Sequence, residues 1–192
     1  MNALTFGRYN ICTTAHIHTF EKILEKFESL TVGIIKKEVR NSSSETKSVI
    51  EKDFYKLADA QHAKTSFSLN ERVQLMDLSL KDRGLSSVSI VTMSRPECDV
   101  VHFNNSFPPS EYRLIFPRPV GGQSQIFDVT RDRALAIILE REVSFIDTTL
   151  TIHTSEIVET MKLEAEKFSE FMTPSALAYF ISINGPERIL DE

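Results

Sequence analysis

The first 35 residues leave little choice of fold. Ala3-Leu4-Thr5-Phe6 reads as a short strand, and Leu30-Thr31-Val32-Gly33-Ile34-Ile35 as a second, apolar along its whole length. Between them Ile17, Phe20, Ile23, Leu24, Phe27 and Leu30 recur at intervals of three and four, the period of an amphipathic helix. Strand, helix and strand at this spacing form a βαβ unit, whose crossover is almost always right-handed. A strand apolar on both faces belongs in a parallel sheet covered by helices on both sides.

The rest of the chain continues the alternation. Residues 38–63 read as a surface insertion, with Ser42-Ser43-Ser44 in its first half and a short amphipathic helix over 48–62. Ser68-Leu69-Asn70-Glu71 is a capping box opening a helix that carries Leu69, Val73, Met76 and Leu80 inward and ends at Gly84. Further strands are expected at Val88–Val91, Asp99–Phe103, Tyr112–Phe116 and Val143–Ile146. Helices are expected over 128–140 and 154–172, with a last one opening at Thr173-Pro174. The fold class is therefore α/β, a doubly wound parallel sheet in one domain over 1–192, with a C-terminal helical part from 154.

A length of 192 residues suffices for one well-buried domain. The net charge of −5 offers no basic face for nucleic acid, and Lys36, Lys37 and Arg40 are too few to form a patch. The two cysteines, Cys12 and Cys98, have neither disulfide-framework nor metal-site spacing. His16 and His18 diverge on a helix, so no zinc site is expected there. No apolar run approaches the ~20 residues of a membrane span. We expect a cytoplasmic chain with no membrane partner and no protein-bound metal, and leave homo-oligomerisation open.

The joint between the first strand and the first helix carries the chemistry. It reads Gly7-Arg8-Tyr9-Asn10-Ile11-Cys12-Thr13-Thr14-Ala15-His16. A helix N-terminus offers unpaired N–H groups and the positive end of the dipole to an anion. A Thr hydroxyl and a His add hydrogen bonds to phosphate oxygens.

This stretch resembles the signature of the nucleotidyltransferase superfamily, which runs roughly G-[RST]-[FY]-[NDQ]-P-x-[HT]-x-G-H after the first strand. Ile11 stands where proline is usual and Ala15 where glycine is usual. A second piece, Lys64-Thr65-Ser66-Phe67-Ser68-Leu69-Asn70-Glu71-Arg72-Val73, resembles the phosphopantetheine adenylyltransferase segment K-x-x-[LF]-[FS]-x-x-E-R-[VL]. A third, Thr151–Val158, is similar to the I-S-x-[ST]-x-[IL]-[RK] motif after the last strand, with Val158 in place of the family arginine. A fourth, Phe171–Gly185, resembles the C-terminal segment of nicotinate mononucleotide adenylyltransferases. The four follow one another in the family's order.

The resemblance implies a Rossmann-like adenylyltransferase. It would join a nucleoside triphosphate, ATP first, to a small phosphate monoester such as nicotinamide or nicotinate mononucleotide, releasing pyrophosphate. It assigns His16 and Thr13 to the reacting phosphates, and Gly7, Arg8 and Tyr9 to the nucleotide. Thr154 and Ser155 would hold the β- and γ-phosphates, with Lys162 standing in for the missing arginine. Lys64 and Arg72 would meet the acceptor, and Mg²⁺ would arrive with the triphosphate. Cytidylyl transfer to an alcohol phosphate is an alternative. So is a degenerate member that binds nucleotide, or a protein partner, without chemistry, which Ala15 and Val158 favour. Cys12 has only weak standing as a nucleophile.

Overall fold

A computed structural model describes residues 1–37, 49–63, 65–120, 131, 134–149, 157 and 169–190. In chain order the elements are β1 (Asn2–Gly7), α1 (Thr14–Leu24), β2 (Leu30–Ile35), α2 (Val49–Ala63), α3 (Leu69–Asp82), β3 (Val88–Met93), a 3₁₀ turn (Pro96–Cys98), α4 (Val100–Ser106), β4 (Tyr112–Pro119), β5 (Val143–Thr148), α5 (Pro174–Ser182) and α6 (Gly185–Leu190). Residues 134–138 are also helical.

The five strands form one sheet in the order β3-β2-β1-β4-β5. Every pairing is parallel, with Ala3 opposite Leu30, Leu30 opposite Val88, Leu4 opposite Leu114 and Leu114 opposite Val143. β1 is central because its alternate residues serve two cores. Leu4 and Phe6 join Leu114, Phe116, Phe54, Ala58, Phe103, Leu135 and Leu139 on one face. Ala3 joins Val32, Ile34, Ile115 and Ile146 on the other, under Ile17, Phe20 and Ile23 of α1 and Met76 and Leu80 of α3. A third cluster sets α5 and α6 against Ile11, Phe67 and Leu75. The order of strands reverses between β1 and β4. Such a switch point opens a crevice at the carboxyl ends of the strands, where doubly wound sheets bind ligands.

Residues 49–63 of the expected insertion form α2, whose Phe54 and Ala58 are buried in the first core. Arg95 ties α2 down through Asp59, and also bonds Glu97 at 2.7 Å.

One element differs from expectation. Asp99–Phe103 is not a strand: Val100–Ser106 is the helix α4. The carboxylate of Asp99 accepts from His102 N at 3.0 Å, capping the helix. Val100, Phe103 and Phe107 then fall on one face against the core, while Val101 is 72% exposed. An N-cap and a three-and-four spacing outweigh the strand preference of two adjacent valines. His102 is therefore an exposed helical residue, not a strand end.

Two helix ends follow local chemistry. Gly84, at φ +64, takes the left-handed position that stops α3. At α5, Thr173 stands at the cap but its side chain makes no capping bond. The cap comes from Asp82, at the end of α3, which accepts from Ser175 N at 2.7 Å and Ser175 Oγ at 2.6 Å. Those bonds hold the Asp82 carboxyl below its ordinary range.

Candidate active site

The β1–α1 loop leaves the carboxyl end of the central strand, beside the switch point, and ends in a capping box. Thr13 is the N-cap of α1, and its hydroxyl accepts from His16 N at 3.4 Å. His16 Nδ1 in turn accepts from Thr13 N at 3.1 Å and lies 3.0 Å from Thr13 Oγ1. A nitrogen that accepts an amide N–H carries a lone pair. This network therefore assigns the proton of the neutral ring to Nε2. The imidazole is packed edge-on to Tyr9, centroids 5.1 Å apart. His16 is thus locked by its own cap and by an aromatic neighbour, with one ring nitrogen committed to the backbone and the other a donor. No acidic residue lies in the first turn of α1, so no side chain of that turn opposes the positive end of its dipole.

Tyr9 shapes the loop. Its backbone sits at φ 43, in the left-handed region that costs a bulky residue about 1–2 kcal/mol. Its ring packs near Phe20, centroids 6.0 Å apart. A Cβ built on Gly7 would come within 3.3 Å of that ring. The open side of Gly7, expected to admit nucleotide, is filled by Tyr9. Burial pushes the Tyr9 hydroxyl above its ordinary range, partly offset by a hydrogen bond with Thr5 and by the charge of Arg131.

Thr13 is 2% exposed, and its hydroxyl serves the cap rather than an open surface. Asn10, 6% exposed, accepts at Oδ1 from Phe67 N at 3.4 Å. Arg72, expected at the acceptor, is 1% exposed. Its Nη1 donates to Arg8 O at 2.5 Å and to Ile35 O at 2.9 Å. It joins the site loop to the end of β2 from inside the protein. Burial, then the nearby positive charge of Arg8, lowers its affinity for its own proton. Glu71 completes the capping box of α3, accepting from Ser68 N at 2.7 Å.

Cys12 is 1% exposed, and its thiol donates to Met76 Sδ at 3.4 Å. Burial pushes the thiol up to about 12, so it is protonated and inert at neutral pH. Ala15, where the family glycine stands, is 6% exposed. Thr14 Oγ1 donates to Glu170 O at 3.5 Å, bringing the segment before α5 to the start of α1.

Lys64, Thr154, Ser155, Val158 and Lys162 lie outside the described residues. β5 is parallel to β1 in the same sheet and α1 packs against it, so the chain leaves β5 at the same end as the His16 loop. Among the described residues no group of three or more His, Cys, Asp or Glu is placed to hold a metal ion. Among them too, no helix is long and apolar enough to cross a membrane.

Two arginines that pack around these segments escape a reading by motif. The Arg131 guanidinium lies 4.6 Å over the Phe116 ring, on the β4 side of the switch point. Arg188 reaches the Ser66–Glu71 segment from α6. Neither stands in a motif, and only the packing of distant elements brings them here.

Neither a family model nor a curated protein matches the chain. Solved structures do. A protein from Vibrio parahaemolyticus named as a nicotinate-nucleotide adenylyltransferase is 14% identical with a TM-score of 0.59, over 100% of this chain and 96% of that one. This chain shares the fold of that protein. A bifunctional nicotinamide mononucleotide adenylyltransferase/ADP-ribose pyrophosphatase from Francisella tularensis, solved with AMP and a manganese ion, also gives 14% and 0.59. This chain spans 52% of that protein's length. The nicotinic acid mononucleotide adenylyltransferase of Plasmodium falciparum, solved with NaAD, gives 14% and 0.52, over 97% of each chain.

Proposed function

We propose that this chain is a nucleotidyltransferase, in first place an adenylyltransferase, acting on a mononucleotide such as nicotinamide or nicotinate mononucleotide. The observation that carries this reading is the state of His16. It is a histidine fixed at a helix N-terminus, at the switch point of the sheet, with Nε2–H as its donor. We assign that donor to a substrate phosphate.

In the proposed reaction a non-bridging oxygen of the acceptor monoester attacks the α-phosphorus in line. The bond from that phosphorus to the oxygen bridging the β-phosphate breaks, and pyrophosphate leaves with the electron pair. The monoester is largely anionic at neutral pH, so no general base is needed. Catalysis then consists of positioning and charge stabilisation. We assign His16 Nε2–H to the oxygens that gain charge between the α- and β-phosphates. Thr13 positions His16, and Arg72 clamps the loop from within rather than touching the acceptor. Gly7 admits the Tyr9 ring, and we assign Arg8 to the nucleotide phosphates. We assign Thr154, Ser155 and Lys162 to the triphosphate and Lys64 to the acceptor phosphate. Mg²⁺ belongs to the triphosphate substrate, held largely by its oxygens and by water.

The test is pyrophosphate release from each of four nucleoside triphosphates against a panel of phosphate monoesters. ATP with a pyridine mononucleotide should respond most. Preference for CTP with an alcohol phosphate would replace the acceptor and base, and keep the class. Absence of release from every pair would overturn the enzyme. The Tyr9 ring over Gly7 and the Ala15 methyl favour a second reading, a nucleotide-binding protein without turnover. Calorimetric binding of triphosphate with no pyrophosphate release would establish it.

A further inference from the structure

The capping box of α3 uses only part of Glu71. Its carboxylate also meets Arg188, 117 residues later in α6, in a two-pronged ion pair: Nη1 to Oε1 at 2.7 Å and Nη2 to Oε2 at 3.0 Å. Nη2 also donates to Ser66 O at 2.5 Å, and the guanidinium lies 4.4 Å over the Phe67 ring. One side chain of the C-terminal helix thus grips Ser66, Phe67 and Glu71 together. A planar fork can do this, whereas a lysine ammonium cannot hold a carboxylate edge and a carbonyl in one plane.

The gripped segment is the one that holds the site loop. Phe67 N donates to Asn10, and Arg72 Nη1 donates to Arg8 O. Ile11 of the loop and Phe67 share a cluster with Phe180 of α5 and Ile189, next to Arg188. The path from Arg188 to His16 therefore runs through hydrogen bonds to Asn10 and Arg8, then along the chain to Tyr9 between them, whose ring packs on His16.

We propose that Arg188 is a positioning residue for the reaction: its fork on Glu71 and Ser66 fixes the Ser66–Arg72 segment, which sets the β1–α1 loop and with it the His16 donor. The catalytic half of this inference rests on the adenylyltransferase reading. The link from Arg188 to the loop rests on the contacts alone.

The experiment compares Arg188→Gln, Glu71→Gln and their double variant in the full chain, with Arg188→Lys as the mildest change. Glutamine at 71 keeps one oxygen as an acceptor for Ser68 N and removes the charge and the second oxygen of the fork. Each glutamine variant should lower kcat about tenfold, with KM for the triphosphate within twofold. The double variant should be no worse than the weaker single, because both remove one link. Arg188→Lys should fall between wild type and Arg188→Gln. Amide hydrogen exchange at residues 10–16 should quicken in the same order. A variant that melts cooperatively yet keeps wild-type turnover overturns the proposal, as does unchanged exchange at 10–16. If wild type releases no pyrophosphate from any pair, the adenylyltransferase reading fails by itself. Exchange then decides the link, quickening upholding it and unchanged exchange ending it.

Discussion

Two helices of this protein begin in the same way and end up doing different things. At α1, Thr13 and His16 satisfy each other's backbone amides; at α3, Ser68 and Glu71 do the same. The difference lies in what the third helical residue has left over. Glutamate is all acceptor, and the oxygens of Glu71 are shared between Ser68 N and Arg188, so that end of α3 is neutralised and closed. Histidine has two ring nitrogens. Nδ1 does the capping and Nε2 keeps its proton as a donor, while the first turn of α1 carries no acid to oppose an anion. A capping box with glutamate is a joint. The same box with histidine is a joint whose capping residue keeps one N–H beyond the cap, which we assign to substrate.

Swapping the two residue types is the strongest way to break that comparison. His16→Glu keeps an acceptor for Thr13 N, so the melting temperature should stay near wild type. It replaces the donor with a negative charge, so turnover should fall by at least 10²–10³. His16→Ala should cost a similar factor in turnover and up to about 1 kcal/mol of stability besides, because the ring's half of the capping box goes too. Steady-state kinetics with thermal melts separate the two, and turnover of either variant within twofold of wild type would remove His16 from the phosphates. Thr13→Ala should act more weakly. It leaves His16 Nδ1 its bond from the backbone N–H of residue 13 but removes the hydroxyl beside the ring and the cap on His16 N, and we expect a loss near tenfold in kcat with about 1 kcal/mol of stability. Thr13→Ser should restore both, since only the hydroxyl is used.

The comparison also shows which parts of the molecule can be read in the residues. The box at Ser68–Glu71 is legible because serine and glutamate at that spacing are the usual pair. Thr13–His16 is legible only as two phosphate-directed side chains, since the reciprocal bond needs a particular imidazole rotamer. The central place of β1 beside β2 follows from two apolar runs flanking one helix. Val100-Val101 misleads because β-branched residues suggest a strand, and only the Asp99 cap and the burial of Phe103 decide otherwise. Arg72 follows a motif, yet its burial depends on where Arg8 O and Ile35 O come together. Arg188 gives no signal, because the segment its fork grips, Ser66 and Glu71, lies more than a hundred residues away.

Glu71 sharpens the contrast through pH. The hydrogen bond and charge of Arg188, with the Ser68 cap, hold its carboxyl down to about 2 from an ordinary 4.5. A lowered carboxyl stabilises the fold above its unfolded value and loses that contribution as pH falls through the folded one. Stability should therefore decline between about pH 4.5 and 2. The Glu71 share is about 1 kcal/mol, reduced from the full shift because both partners are partly exposed. Denaturant melts of wild type and Glu71→Gln across that range should converge at the acid end. Parallel curves would show that the pair contributes nothing.

The smallest effect expected is at Cys12, inside the same loop and one residue before the Thr13 cap. If the loop's chemistry rests on His16 alone, the thiol beside it must be silent. Burial raises it to about 12, and it faces Met76 in the core, so no appreciable thiolate exists at pH 7. A thiol reagent should therefore modify one cysteine of the native protein, the exposed Cys98, and two after denaturation. Cys12→Ala removes one buried sulfur, at about 1 kcal/mol, and should leave turnover of the folded protein within twofold of wild type. A tenfold loss of kcat in that variant, with an unchanged melting temperature, would move the chemistry of the loop from the histidine to the thiol.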